Sequence, residues 1–230
     1  MKKSKITLNT IVFIITYFLI IATAIIYKQP FYRLLPLLVS GIVMTLQASA
    51  NRYGYLLGGL NCILYTIVYI HIKTYMSAVS TIFTSMPIQL FTFFYWQKHA
   101  YEKSVVFKKM SAKSRIIAIA LFLMASVICI SYLKQINSGY AILDSLTSLL
   151  SIFVSFFTLF AYVEYTYIWP VSAFLNVLLC YKVFLNEPSQ ITYLISAIYS
   201  LYCVIGALIN VSKIHNIQKE EILNENQRIG

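Results

Sequence analysis

The chain is 230 residues long, with 60% hydrophobic side chains and only 11% charged, more apolar surface than one soluble core of this length buries. This excludes an ordinary water-soluble domain and points to a polytopic membrane protein. The formal charge of +11 does not indicate a nucleic-acid partner, because the Lys and Arg residues fall between apolar runs and not along an aromatic-interleaved groove. The four cysteines, Cys62, Cys129, Cys180 and Cys203, lie inside apolar runs without CxxC or Cys/His spacing, so neither a disulfide nor a zinc site is expected.

A membrane span needs roughly 20 apolar residues. Eight segments qualify in chain order: 8–27, 34–50, 53–72, 75–96, 115–133, 140–163, 165–185 and 189–212. Ala22-Thr23-Ala24 offers the small residues of a signal cleavage site, but the apolar run is longer than a signal core, so an uncleaved first helix is expected. With the N-terminus inside, 13 of the 18 basic residues are cytoplasmic and 5 external, namely Lys28, Arg33, Lys73, Lys134 and Lys182. The positive-inside bias therefore predicts an inner-membrane, multi-pass protein with both termini cytoplasmic. Residues 97–115 read as the main cytoplasmic loop and the last residues as a short polar tail, both solvated.

Two triplets of helices, 34–96 and 140–212, flank the single helix 115–133, and each triplet runs from outside to inside. This is the pattern of a parallel repeat. Leu60-Asn61 echoes Leu175-Asn176 in the middle helix of each triplet, and Tyr75 or Tyr193 opens each third helix. The expected organisation is an N-terminal helix and loop over 1–33, a first repeat over 34–96, a loop and linker helix over 97–139, a second repeat over 140–212 and a tail over 213–230.

An amide in the middle of a span is costly unless it faces something polar. Asn61 and Asn176, at equivalent depth, would line one shared polar cavity. Helical spacing extends this reading. Ser77, Thr81, Ser85, Gln89, Thr92 and Trp96 share one face of 75–96; Asp144, Thr147, Ser148, Ser151 and Ser155 share one of 140–163; Thr192, Ser196, Tyr199, Cys203, Gly206 and Asn210 share one of 189–212. Small polar residues also line plain helix contacts in membranes. Asp144 is the only aspartate, placed about a turn inside its helix, where it either faces a pathway or anchors a helix end. Glu164 is expected to pair with Arg52 or lipid headgroups. Tyr65, Trp96 and Trp169 fall on or beside the polar stripes, where an aromatic face stacks on a heterocycle or attracts a cation. No P-loop, HExxH, nucleophile elbow or clustered His and carboxylates occurs, so no enzyme activity, cofactor or metal is expected.

The segments GLNCILY at 59–65, PIQLFTFFYWQK at 87–98 and ILDSLTSLLSIF at 142–153, followed by Trp169, resemble the PnuC-type vitamin transporters from about residue 34 onward. The resemblance implies a three-plus-one-plus-three arrangement like that of SWEET transporters within an all-α membrane protein of about eight helices, a homotrimer, and a small-molecule substrate bound near the bilayer centre. It implies a site of Asn61, Tyr65, Gln89, Trp96, Asp144, Thr147 and Asn176, to which the stripe on the last helix adds Tyr199. It also implies facilitated diffusion, with a cytoplasmic kinase trapping the substrate by phosphorylation. Where the family has WxxW, this chain reads Phe93-Phe94-Tyr95-Trp96, so only the second Trp matches; related members carry thiamine, riboflavin or deoxynucleosides. The expected function is import of nicotinamide riboside or a related vitamin or nucleoside. The alternatives are a thiamine or deoxynucleoside transporter and, in another class, a ligand-sensing or assembly membrane protein.

Overall fold

A computed structural model describes residues 8–101, 104–135 and 139–229, with side chains described as far as Glu221. Among them, eight helices are long and apolar enough to cross a membrane. They are α1 Leu8–Ile26, α2 Phe31–Ala48, α3 Tyr53–His71, α4 Tyr75–Lys98, α5 Ala112–Gln135, α6 Ala141–Leu159, α7 Tyr165–Asn186 and α8 Ile191–Ile229. The apolar runs thus become helices within a few residues of their expected limits. α8 is the exception: it continues through the residues expected to form a tail.

Four helices end in the same way. Lys28, Ala50, Lys73 and Ala161 adopt positive φ just beyond α1, α2, α3 and α6. The next N–H then reaches back to a carbonyl five residues earlier, as in Asn51 to Leu46 and Tyr162 to Phe157, both 2.9 Å. These turns satisfy carbonyls that the helix leaves open and that lipid cannot hydrate.

α3 packs on α2 and α4, and α7 on α6 and α8. The contacts between triplets are reciprocal, the first helix of each against the last helix of the other: α2 on α8 and α6 on α4. That reciprocity is consistent with a two-fold arrangement. α5 packs on α6 and leaves a long apolar outer face that includes Ile116, Val127 and Ile128. α1 docks on α2 and α8. Its Tyr17 ring lies over Gly41, where a Cβ would sit 2.5 Å from Tyr17 Cε2, and its hydroxyl donates to the Leu38 carbonyl.

The loop between α4 and α5 departs from the expected solvated segment. It forms a two-residue hairpin, β1 Ala100–Tyr101 against β2 Ser104–Val105, and then turns under the bundle. Ser104, Val105, Phe107 and Met110 are buried. Lys108 exchanges backbone hydrogen bonds with Ala161 and Val163, both 3.0 Å, in the α6–α7 turn. Gln218 of α8 accepts from the Phe107 N–H and donates to the Val105 carbonyl, each at 3.0 Å. The apolar residues Val105-Val106-Phe107 inside a basic stretch explain the insertion: two of the three gain burial while Lys108 and Lys109 stay exposed. Glu164 also differs from expectation. It accepts from the Met110 N–H at 3.1 Å and pairs with Arg115 at 2.7 Å, while Arg52 stacks over the Tyr53 ring.

Candidate functional site

A cavity of about 270 Å³ lies between the triplets. Near the end bearing the α4–α5 loop, its lining residues Tyr55 and Val154 belong to an apolar cluster with Trp96, Phe107 and Tyr165. Near the opposite end, Leu37 and Tyr193 belong to a second cluster with Ile20 and Val68. The rest of the wall mixes amides and hydroxyls, among them Asn61, Gln89, Asn176 and Ser196, with apolar side chains such as Val43 and Leu179.

Glycines on α3 make the wall possible. Gly54 lets α2 approach to 2.9 Å of where a Cβ would be, and a Cβ at Gly58 would strike the Gln89 side chain. Small residues four apart let helices approach closely in a membrane. The same face of α3 then presents Asn61, Cys62, Tyr65 and Tyr69 to the cavity. On α4, Pro87 lacks an N–H, and Thr81–Ser85 form a π-helical turn in which the Met86 N–H bonds to the Thr81 carbonyl. Such a turn widens the helix and is frequent at functional sites. Here Thr81 and Ser85 line the cavity together with Gln89 and Thr92.

Of the eight candidate residues, four line this cavity: Asn61, Tyr65, Gln89 and Asn176. Asn61 Nδ2 donates to the Pro36 carbonyl at 3.0 Å, which leaves Oδ1 buried without a protein partner. Its amide nitrogen therefore fastens α3 to α2, while the residue lines the cavity. The Tyr65 hydroxyl faces the hydroxyls of Ser40 and Ser196, and its ring stacks on Tyr69 at 5.5 Å. Trp169 and Asn176 lie where the main cavity meets a second one of about 160 Å³, lined by Thr147, Ser148 and Ser172 among others.

Trp96, Asp144 and Tyr199 line neither cavity. Trp96 is fully buried below the main one and donates its indole N–H to the Thr158 carbonyl at the end of α6, 2.9 Å away. Tyr199 bonds to Thr45 Oγ1 at 2.8 Å and meets the Phe13 ring edge-on, so it faces α1 and α2. Asn210 likewise donates to the Ala48 carbonyl. Much of the polar stripe on α8 thus fastens helices; the cavity takes Ser196 from the stripe and its neighbours Ala197 and Ser200.

Asp144 is completely buried. It accepts from the backbone N–H groups of Met76 and Ser77 at 3.1 and 3.2 Å, and from the Ser77 and Ser148 hydroxyls. These N–H groups open α4, so Asp144 on α6 caps the first turn of a helix in the other triplet, where the dipole favours an anion. We expect Asp144→Ala to strand these donors and cost about 1–3 kcal/mol, read as a lower melting temperature of purified protein with little change in ligand affinity. A large loss of affinity at unchanged stability would contradict the capping role.

Gln47 was not among the candidates. It is buried, lines the cavity, and donates Nε2 both to the Gly54 carbonyl at 3.3 Å and to Gln89 Oε1 at 3.2 Å. The helical spacing of Ser40, Met44 and Gln47, all on the wall, was the available signal.

The cavity lies among membrane-crossing helices, and the family match that follows makes the chain a membrane transport protein. The model of the nicotinamide mononucleotide transporter family matches residues 30–211, and the chain belongs to that family. Its α1 precedes the matched region. The fold is similar to one reported as the crystal structure of the vitamin B3 transporter PnuC, with a TM-score of 0.77, 17% identity, and coverage of 91% of this chain and 92% of that one. No curated protein sequence matches.

Proposed function

We propose that the chain imports an unphosphorylated, nicotinamide riboside-like vitamin across the inner membrane by facilitated diffusion. The observation that carries this reading is the cavity wall: amides, hydroxyls, aliphatic side chains and the rings of Tyr65, Tyr69, Trp169 and Tyr193, with no Asp, Glu, Lys, Arg or His. A phosphate brings a charge of about −1.5 to −2 at neutral pH, and burying it unpaired is prohibitive. A positively charged pyridinium ring, by contrast, is compensated by aromatic faces and by the free Asn61 oxygen. The cavity is at the small end of ligand pockets, in keeping with a nucleoside. Phe93, which stands where the family has its first Trp, packs partly buried against the cluster below the cavity. That substitution lies outside the wall and does not itself disfavour the nicotinamide ring.

Absence of an acid from the wall, with Asp144 engaged as a cap, supports transport without ion coupling. The two triplets would act as parallel repeats that open alternately, with the inserted loop 104–110 at the cytoplasmic end by the charge bias. A cytoplasmic kinase would then retain the product. A homotrimer is part of this proposal, in which the exposed apolar face of α5 would meet lipid or a neighbouring protomer.

The test is thermal stabilisation of the purified protein by nicotinamide riboside, thiamine, riboflavin and thymidine, since a ligand at 100 times its Kd stabilises by about 2.7 kcal/mol. Nicotinamide riboside is expected to raise the melting temperature most. Stabilisation by thiamine or thymidine alone would assign the chain to those substrates instead.

A further inference from the structure

We propose that Gln47, which the transport reading does not require, sets how the carboxamide of the proposed ligand is read, by positioning Gln89. The inference rests on the proposed nucleoside-like ligand lying against Gln89 and Asn61. Its physical basis is that a side-chain amide has a donor end and an acceptor end, and its neighbours decide which one the ligand meets.

A backbone carbonyl only accepts. The Gln47 atom facing the Gly54 carbonyl at 3.3 Å is therefore its nitrogen. That same nitrogen faces Gln89 at 3.2 Å, so the Gln89 atom it meets is the oxygen. The Gln89 –NH2 is left for the cavity, with only the Cys62 sulfur, a weak acceptor, at 3.5 Å. Gly58 keeps the arrangement in place, because a Cβ there would overlap the Gln89 amide and come within 3.2 Å of Gln47 Nε2. Asn61 is fixed in the opposite sense by the same logic. The Pro36 carbonyl takes its –NH2, and the buried Oδ1 is left without a partner.

Adjoining parts of one wall thus present a fixed donor at Gln89 and a fixed acceptor at Asn61. A primary carboxamide, with one carbonyl and one –NH2, is their complement. Gln47 is a positioning residue: it acts on the ligand through Gln89. Without it, the Gln89 amide is free to turn, and the ligand carbonyl loses a preorganised donor.

The experiment measures calorimetric affinities of three ribosides that share the charged ring. They are nicotinamide riboside, 3-acetylpyridine riboside, which keeps the carbonyl but lacks the –NH2, and unsubstituted pyridine riboside. In the unaltered protein, affinity is expected to fall in that order. Gln47→Met is expected to weaken the two carbonyl-bearing ligands by roughly two- to tenfold, the range of one hydrogen bond, and to leave pyridine riboside unchanged. Equal weakening of all three would show a merely structural Gln47 and overturn the proposal, as would no weakening at all. If the unaltered protein binds none of the three, the nucleoside reading itself fails. The relay is then judged without ligand, from the melting temperatures of Gln47→Met, Gln89→Met and the double variant. Additive destabilisation would overturn it; a double variant no less stable than the worse single one would support it.

Discussion

Phe107→Ala is expected to open the cavity to the cytoplasm. The Phe107 ring is buried in the cluster that also contains Tyr55, Trp96 and Tyr165, and it meets the Trp96 ring edge-on at 5.8 Å. Tyr55 and Val154 belong both to that cluster and to the cavity wall, so Phe107 packs, through Trp96, in the apolar cluster that closes this end of the proposed substrate cavity. Truncating a buried phenylalanine typically costs about 3–5 kcal/mol, and in the proposed alternating cycle that loss falls on the form in which the loop is inserted. The loop has other attachments, to Gln218, to Glu164 and to the α6–α7 turn, and these should keep the protein folded. The measurement is maleimide labelling of a cysteine placed at Val154. An impermeant reagent added on the cytoplasmic side should label it much faster with Phe107→Ala than without. Faster labelling only from the opposite side would invert the proposed orientation, and no change would remove the loop from the gate.

Asn61→Ala should have the other large effect, because it removes two things at once. The Pro36 carbonyl loses its donor from α3, and the proposed ligand would lose an acceptor at Oδ1. Each hydrogen bond is worth about 0.5–1.5 kcal/mol, and more where a buried partner is left unmatched. The melting temperature and the ligand affinity are both expected to fall, the affinity several-fold. Loss of stability with unchanged affinity would show that the amide only fastens α3 to α2. Improved affinity would place the ligand elsewhere.

The membrane spans, their number and the existence of a polar cavity were legible because each rests on one strong signal: length of apolar run, or an amide where lipid should be. Asn61 and Gln89, singled out in this way, both line the cavity. Asp144 and Tyr199 were not separable from them by spacing alone. A polar side chain inside a membrane must find a partner, and a neighbouring helix serves as well as a ligand does. Which of the two it finds depends on rotation about the helix axis, and a few tens of degrees carry Tyr199 toward Thr45 while Ser196 and Ser200 face the cavity. Gln47 was missed because it lies near a helix end, where a polar residue reads as interfacial. The loop insertion was masked by its lysines, since charge counting sets the side of the membrane and says nothing about where three apolar residues among those charges will go.

The most direct test of an uncharged cavity serving an unphosphorylated vitamin is uptake into liposomes containing the purified protein, with labelled nicotinamide riboside compared against labelled nicotinamide mononucleotide and no ion gradient imposed. Nicotinamide riboside should equilibrate down its gradient and exchange with unlabelled riboside inside, while the mononucleotide should neither enter nor compete. Entry of the mononucleotide at a comparable rate, or accumulation of the riboside only when a proton or sodium gradient is supplied, would contradict this.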